Sequence, residues 1–284
     1  MNDVELAAEL GFRSEHADVN GTRLHYVIGG DGEPLVLLPG WPQTWWSYHK
    51  VMPKLAERHR VVAVDLRGMG GSAKPADGYD KKTMAADIGE LVRHLGHDRV
   101  DVAGHDIGSM VAFSLAANHP DTVRKIAMLD VPHPSDSFHE LRVLGPGTLW
   151  WFAFNQLDTL PAQLLEGRAR YLVDHMIDRI AVRRDAITDR DRAIYAAAYD
   201  TADAIRAGNR WYQAFERDIE DLRGYEKVTT PVLGLLAPWV REPVEAAITE
   251  AATDVRIREI PDSGHYLAEE RPDAVVEELT RFFG

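Results

Sequence analysis

The stretch that most constrains the fold lies at residues 100–112, where an apolar run passes through a short turn into a second apolar segment. Gly104 and Gly108 stand two residues on either side of Asp106. Glycine tolerates backbone conformations that other residues avoid, so this spacing is typical of a strained turn between a strand and a helix. Such a turn presents its central side chain at the top of a sheet, which makes Asp106 a candidate nucleophile.

Apolar runs that read as strands alternate with segments of helical spacing on both sides of this turn. The first two strands form a hairpin around Asn20-Gly21, a strong turn signal. The later strands are expected near 34–38, 61–64, 100–103, 123–129, 231–236 and 255–260. Alternating strands and helices predict right-handed βαβ units, and therefore a mostly parallel eight-stranded sheet flanked by helices.

The alternation stops between residues 134 and 222, where aromatic and aliphatic residues recur at helical spacing without a convincing strand. We predict a helical lid inserted into the sheet domain over 134–222. The sheet domain then comprises residues 1–133 and 223–284.

Composition excludes several classes of function. A formal charge of −13 without a compensating basic cluster argues against nucleic acid or an anionic membrane as a partner. The chain has no cysteine, so neither disulfides nor thiolate metal sites form. No apolar run approaches the length of a membrane span, and the N-terminus lacks a signal-peptide core. We expect a cytoplasmic protein without cofactor or metal. The sequence does not decide whether the chain forms a homodimer.

Several motifs occur in a characteristic order along the chain. They are Gly40-Trp41-Pro42, Asp65-Leu66-Arg67-Gly68, Gly104-His105-Asp106-Ile107-Gly108, the helical insertion and Gly264-His265. In this order they resemble the α/β-hydrolase family over nearly the whole chain. An aspartate at the nucleophile position narrows the resemblance to the branch of epoxide hydrolases and dehalogenases. The amino-acid sequence of the turn is most similar to that of bacterial epoxide hydrolases.

The resemblance implies a covalent mechanism. Asp106 attacks an sp³ carbon of an epoxide to give an alkyl-enzyme ester, and the start of the following helix is expected to keep its carboxylate ionised. His265, after the last strand, is the expected base that activates water for hydrolysis of the ester to a vicinal diol. Asp130, after the strand that follows the turn, is the expected acid that orients His265.

The resemblance also implies binding groups around the nucleophile. The backbone amides of Trp41 and Ile107 are expected to form the oxyanion hole, and Trp41-Pro42 is expected to be a cis peptide. Tyr212 best matches a lid tyrosine that donates a proton to the epoxide oxygen. The other donor position falls on Trp151, whose indole donates a hydrogen bond without giving up its proton. Other lid tyrosines remain candidates for a second donor: Tyr171, Tyr195 and Tyr199.

All seven tryptophans fall in strand-end loops or in the lid. We therefore predict a roomy, aromatic-walled pocket for a small apolar substrate. Core packing and a dimer contact are the alternative interpretations. The residues expected to bind substrate are Trp41, Trp150, Trp151 and Tyr199.

Four other functions remain open, and the residues after Asp106 weaken the first two, which are dehalogenations. Haloalkane dehalogenases hold the halide with a tryptophan directly after the nucleophile, where this chain has Ile107. Fluoroacetate dehalogenases carry arginines one and four positions after it, where this chain has Ile107 and Met110. The other two are a biosynthetic enzyme that opens or cyclises one specialised epoxide and a non-catalytic ligand-binding protein on the same fold.

Overall fold

The structure, a computed structural model, describes residues 2–141 and 149–284. Its strands are β1 (Arg13–Val19), β2 (Thr22–Gly29), β3 (Glu33–Leu38), β4 (His59–Val64), β5 (Val100–His105), β6 (Val123–Leu129), β7 (Val232–Leu236) and β8 (Val255–Glu259). Its helices are α1 (Asp3–Glu9), α2 (Met52–Leu55), α3 (Lys81–His94), α4 (Ile107–Asn118), α5 (Trp150–Asn155), α6 (Leu160–Leu165), α7 (Ala169–Ile180), α8 (Asp189–Ala198), α9 (Ala202–Gln213), α10 (Phe215–Arg223), α11 (Arg241–Ala251), α12 (Leu267–Glu270) and α13 (Pro272–Phe283). In this part of the chain no helix combines the length and apolar character that crossing a membrane requires.

The eight strands form one sheet in the order β1-β2-β4-β3-β5-β6-β7-β8. β2 pairs antiparallel with both β1 and β4, and every other pairing is parallel. The predicted mostly parallel eight-stranded sheet is therefore confirmed. β5 is buried along its whole length, as expected of a central strand covered by helices on both faces. The carboxyl ends of β5, β6 and β7 consequently lie side by side at one edge, where ligand sites form in such sheets.

The hairpin between β1 and β2 turns as predicted. Asn20 and Gly21 both adopt positive φ, 44° and 71°, which is the backbone geometry that a two-residue turn of this type requires. In β2, alternate residues pack into opposite layers of the core: Leu24, Tyr26 and Ile28 on one side of the sheet and Val27 on the other.

Two short helices differ from the expected pattern. The spacing of Tyr48, Val51, Met52 and Leu55 predicts one helix, but the chain makes a 3₁₀ turn over Trp45–Tyr48 and then α2. Pro53 has no amide to bond to the preceding turn, so a helix can begin here but cannot run through. Near the N-terminus, α1 was not predicted, although Asn2 and Glu5 form a capping box.

The described chain between β6 and β7 is helical and contains no named strand. A buried ion pair joins this segment to the sheet domain: Lys81 Nζ on α3 lies 2.7 Å from Asp218 Oδ2 on α10. The same ammonium donates to the carbonyl of Trp211, 2.8 Å away. The lid limits of 134–222 stay a prediction, and residues 142–148 of that range lie outside the described residues.

Candidate active site

Asp106 occupies the sharp turn between β5 and α4, with φ of 52° and ψ of −120°. A Cβ atom at Gly104 would clash with the carbonyl of Gly108, and one at Gly108 would clash with the carbonyl of Leu38. A Cβ atom at Gly40 would strike the Asp106 side chain itself. Three backbones therefore approach one another around the carboxylate, and only glycine leaves the space for this. Strain of this kind, maintained by its surroundings, is characteristic of functional sites.

His265 links the two aspartates that the sequence singled out. Its Nδ1–H donates to Asp130 Oδ2 at 2.8 Å, and its Nε2 lies 3.7 Å from Asp106 Oδ2. Asp130 follows β6 in a positive-φ conformation. Its other oxygen accepts the amide of Ala237, 2.9 Å away at the end of β7. Asp106, His265 and Asp130 are thus brought together, and their catalytic roles remain predictions.

Burial and neighbouring charges have opposite effects on the pKa values of Asp106 and His265. Burial raises the pKa of the Asp106 carboxyl above its ordinary value, and the charge of His265 and the amides of Trp41 and Ile107 oppose this only partly. The amide of Ile107 at the helix start thus favours the ionised carboxylate, as expected, while desolvation disfavours it, and the ionised state of Asp106 stays a prediction. Burial lowers the pKa of His265, but the hydrogen bond and charge of Asp130 and the charge of Asp106 outweigh it and raise that pKa.

The two carboxylate oxygens of Asp106 have different surroundings. Oδ1 accepts the backbone amide of Trp41 at 2.9 Å, and the amide of Ile107 also hydrogen-bonds the carboxylate. Oδ2 is the oxygen near His265 Nε2. The predicted cis peptide at Trp41-Pro42 is present. The Trp41 amide expected in the oxyanion hole therefore contacts the nucleophile, and the Ile107 amide lowers its pKa.

Two lid tyrosines, Tyr212 and Tyr199, lie near enough to Asp106 for its charge to raise their pKa values. The Tyr212 ring packs edge-on against Trp41, with 5.5 Å between ring centroids. Burial and the charge of Asp106 raise the pKa of Tyr212 well above its ordinary value, while a hydrogen bond from Trp151 lowers it. Tyr199 is also buried, but its hydroxyl donates to the carbonyl of Gln43 at 2.8 Å.

The remaining tryptophans lie in several environments. Trp150 packs among lid residues, with its ring 5.5 Å from that of His175. Three other indole N–H groups donate hydrogen bonds within the fold. Trp45 donates to Asp3, Trp46 to Asp191 and Trp211 to the carbonyl of Arg67. Trp239 is 54% exposed.

Trp41 lines a small cavity whose lining does not include Asp106 or His265, so the roomy pocket expected at the nucleophile stays a prediction. The volume of this small cavity is about 10 Å³. It is lined by Trp41, Asn155, Leu165, Ala169, Leu172, Tyr199, Ile205 and Asn209. Of the seven tryptophans, only Trp41 belongs to this lining.

Sequence reasoning missed the residue that holds the His265 loop. Glu270 accepts the amides of Gly264 and Tyr266 on either side of the histidine, at 2.9 and 3.0 Å. It also accepts the lid amides of Val182 and Arg183, each at 2.8 Å. In the sequence Glu269-Glu270 reads as an ordinary acidic start of the closing helix, so no local signal distinguishes this carboxylate.

Two groups of side chains away from Asp106 have the composition of metal ligands: Asp3, His25 and Asp65, and His49, Asp191 and Glu269. In the first group, Asp65 already accepts His25 and the amides of Trp45 and Gly71. In the second, Asp191 accepts the Trp46 indole and Glu269 accepts the Tyr195 hydroxyl. Hydrogen bonds within the fold therefore account for both groups.

Comparison with known proteins places these features in context. A family model described as alpha/beta hydrolase fold matches residues 33–214, which is more than half of the chain. A soluble epoxide hydrolase of Corynebacterium sp. (strain C12) is 36% identical over 274 residues, covering 94% of this chain and 96% of that protein. The crystal structure of Cfl2 from Burkholderia cenocepacia has a TM-score of 0.91 at 34% identity, with 96% of each chain covered. The resemblance and the predicted fold class are confirmed.

A dehalogenase is also among the similar proteins. A fluoroacetate dehalogenase of Burkholderia sp. is 35% identical over 161 residues, which cover 55% of this chain and 53% of that protein. The choice of leaving group therefore depends on the residues around Asp106.

Proposed function

This chain belongs to the alpha/beta hydrolase fold family, and we propose that it hydrolyses epoxides to vicinal diols through a covalent ester on Asp106. Similarity to epoxide hydrolases supports epoxide hydrolysis as the reaction class. The observation that carries the covalent route is that the two oxygens of the Asp106 carboxylate have different partners. Asp106 Oδ1 is held by the Trp41 amide at 2.9 Å, while Oδ2 lies beside His265.

In the first step, Oδ2 attacks an epoxide carbon and the ring C–O bond breaks. A carboxylate is anionic without help from a base, so this step does not require His265 to take a proton. The developing alkoxide takes a proton from the Tyr212 hydroxyl. The raised pKa of Tyr212 keeps this phenol protonated before the reaction, and the hydrogen bond from Trp151 stabilises the phenolate that forms.

In the second step, His265 Nε2 takes a proton from water, whose oxygen attacks Cγ of the ester. Negative charge develops on Oδ1, where the amides of Trp41 and Ile107 can stabilise it. Collapse breaks the bond from Cγ to the substrate oxygen, which leaves with the proton from His265. The second proton of the water is released as Asp106 returns to a carboxylate, and it restores Tyr212. Asp130 supports the imidazolium throughout.

The surroundings of Asp106 favour an epoxide over fluoroacetate. Ile107 and Met110, which occupy the positions of the substrate-binding arginines, are apolar and buried. A bound carboxylate would therefore lack a positive partner at these positions, which is costly in a desolvated site. An epoxide is uncharged and needs only a hydrogen-bond donor for its oxygen, a need that Tyr212 meets.

We expect the purified protein to convert styrene oxide and 1,2-epoxyoctane to diols and to release little halide from 1-chlorobutane or fluoroacetate. The expected preference for epoxides is at least about 100-fold in kcat/KM, because the carboxylate of fluoroacetate finds no positive partner and Ile107 offers a halide no side-chain donor. Diol formation is followed by gas chromatography and halide release by ion chromatography. Halide release without diol formation would replace this proposal with dehalogenation.

Replacing Tyr212 with phenylalanine is expected to slow ester formation by about 10²–10³-fold, the usual contribution of one positioned acid. Hydrolysis of the ester should change much less, since Tyr212 acts on the epoxide oxygen. Single-turnover chemical quench separates the two rates. Tyr195→Phe is a matched control, because that buried hydroxyl donates to Glu269. A larger loss in Tyr199→Phe than in Tyr212→Phe would assign the proton to the other tyrosine.

A further inference from the structure

Asn155, the last residue of α5, is a buried polar side chain whose amide nitrogen has no hydrogen-bond partner. It is 1% exposed. An amide donor in such a position is unfavourable unless something accepts its hydrogens, so unpaired buried donors are rare in folded proteins and call for an explanation. The proposed reaction does not use this residue.

Asn155 lines the small cavity that Trp41 and Tyr199 also line. The amide of Trp41 donates to Asp106 at 2.9 Å, and the charge of Asp106 contributes to the raised pKa of Tyr199. Trp41 therefore connects the cavity that holds the unpaired donor to the reacting carboxylate. For a substrate bound at Asp106 to reach Asn155, its chain must extend past the Trp41 ring.

The other residues that line the cavity determine which kind of ligand group can bind there. Leu165, Ala169, Leu172 and Ile205 supply apolar walls. Among the described lining residues, no side chain carries a charge. A carboxylate or ammonium group on the ligand would thus be desolvated without a partner, whereas an uncharged oxygen can accept a hydrogen bond from the amide.

We propose that Asn155 is a specificity-determining residue that selects epoxides bearing an uncharged acceptor oxygen, such as an ether, on an otherwise apolar chain. This inference rests on the proposed epoxide hydrolysis and identifies the substrate class for it. The oxygen of the substrate accepts from Asn155 Nδ2 while the epoxide ring lies at Asp106.

The cavity also suits one water molecule, because about 10–15 Å³ is the minimum volume that holds a water. Substrate must then displace such a water, and the lid must move to admit the chain. If the water remained in place during turnover, Asn155 would have only a structural role. Substrate preference separates these two possibilities.

The test compares two substrates of equal length, butyl glycidyl ether and 1,2-epoxyoctane, which differ by one oxygen in place of a methylene. Wild-type enzyme is expected to favour the ether in kcat/KM by about 5–10-fold, the usual effect of one uncharged hydrogen bond. Asn155→Leu is expected to bring this ratio close to one. Both substrates compete in one tube, so the ratio does not depend on how much of the variant is folded.

Two further variants make the result specific. Asn155→Ala tests the same loss of the donor if the leucine variant does not fold. Asn118→Leu removes an amide that is bonded to Ser114 and Tyr225 elsewhere in the fold, and it should leave the ratio unchanged. Equal ratios in the wild type and in Asn155→Leu would overturn the inference while leaving epoxide hydrolysis intact.

Binding of the products gives an answer that does not depend on turnover. In calorimetry the wild type should bind 3-butoxypropane-1,2-diol several-fold more tightly than octane-1,2-diol, and Asn155→Leu should not distinguish them. If no epoxide is turned over, the proposed function fails, and this binding preference still decides whether Asn155 recognises an oxygen. Equal binding of the two diols by the wild type would refute the role of Asn155.

Discussion

Replacing Asp106 with alanine is expected to abolish epoxide hydrolysis, leaving less than about 10⁻⁴ of the wild-type rate. The Asp106 carboxylate supplies the oxygen that forms the proposed ester bond, and no neighbouring group can substitute for it. His265 is held by Asp130 at 2.8 Å, and Tyr212 is a phenol whose pKa is raised well above its ordinary value. Diol formation under substrate saturation, measured over hours, gives the residual rate.

Asp106→Asn separates this chemical loss from damage to the fold. Asparagine has the same shape and retains an oxygen for the Trp41 amide, but a neutral amide is a poor nucleophile toward carbon. Because burial raises the pKa of Asp106, removing its charge should not lower the melting temperature. Asp262→Asn is the matched control, since Asp262 is exposed and also adopts positive φ. Substantial diol formation by Asp106→Asn with its amide still intact would refute the covalent route.

In His265→Gln, the alkyl-enzyme ester is expected to accumulate on Asp106 to nearly one equivalent. Attack by the carboxylate needs no base, but hydrolysis of the ester does, and glutamine cannot take a proton from water. Steady-state turnover should fall by about 10³-fold or more, while the first step continues. Intact-mass spectrometry should show a gain equal to the mass of the epoxide, and peptide mapping should place it on the peptide that contains Asp106.

His94→Gln is the control, because that histidine is exposed at the end of α3. It should accumulate no ester. In the wild type, breakdown of the ester should slow about tenfold per unit as the pH falls below the pKa of His265, because the protonated imidazole is not a base. The hydrogen bond and charge of Asp130 raise that pKa and persist in the ester, so the decline is expected at a higher pH than for a histidine without this partner. A mass gain with haloalkanes and none with epoxides would contradict the proposed leaving group.

The residues that the sequence predicted best are those placed by strand ends. Asp106, Asp130 and His265 follow β5, β6 and β8. The parallel topology brings those ends to one edge, and the resemblance to the α/β-hydrolase family identified which residues there to nominate. The N-terminal helix could also have been predicted, since Asn2 and Glu5 are in capping-box spacing.

Lid residues were harder to assign from sequence because no such rule connects their positions. Trp150 and Trp151 are adjacent, yet one packs against His175 and the other donates to Tyr212. Helices of an inserted segment take their orientation from contacts with distant parts of the chain. One such contact is the buried Lys81–Asp218 pair, whose partners are 137 residues apart.

By itself the sequence determined the sheet and the strained turn at Asp106, because local patterning and glycine spacing depend on backbone geometry within a few residues. Its resemblance to the α/β-hydrolase family nominated the acid and the base. Tertiary structure alone decided which carboxylate oxygen the Trp41 amide holds, that burial raises the pKa of Asp106, and that the unpaired amide of Asn155 borders the cavity. Desolvation and hydrogen-bond pairing depend on every group that packs around a side chain, and those groups come together only when the chain is folded.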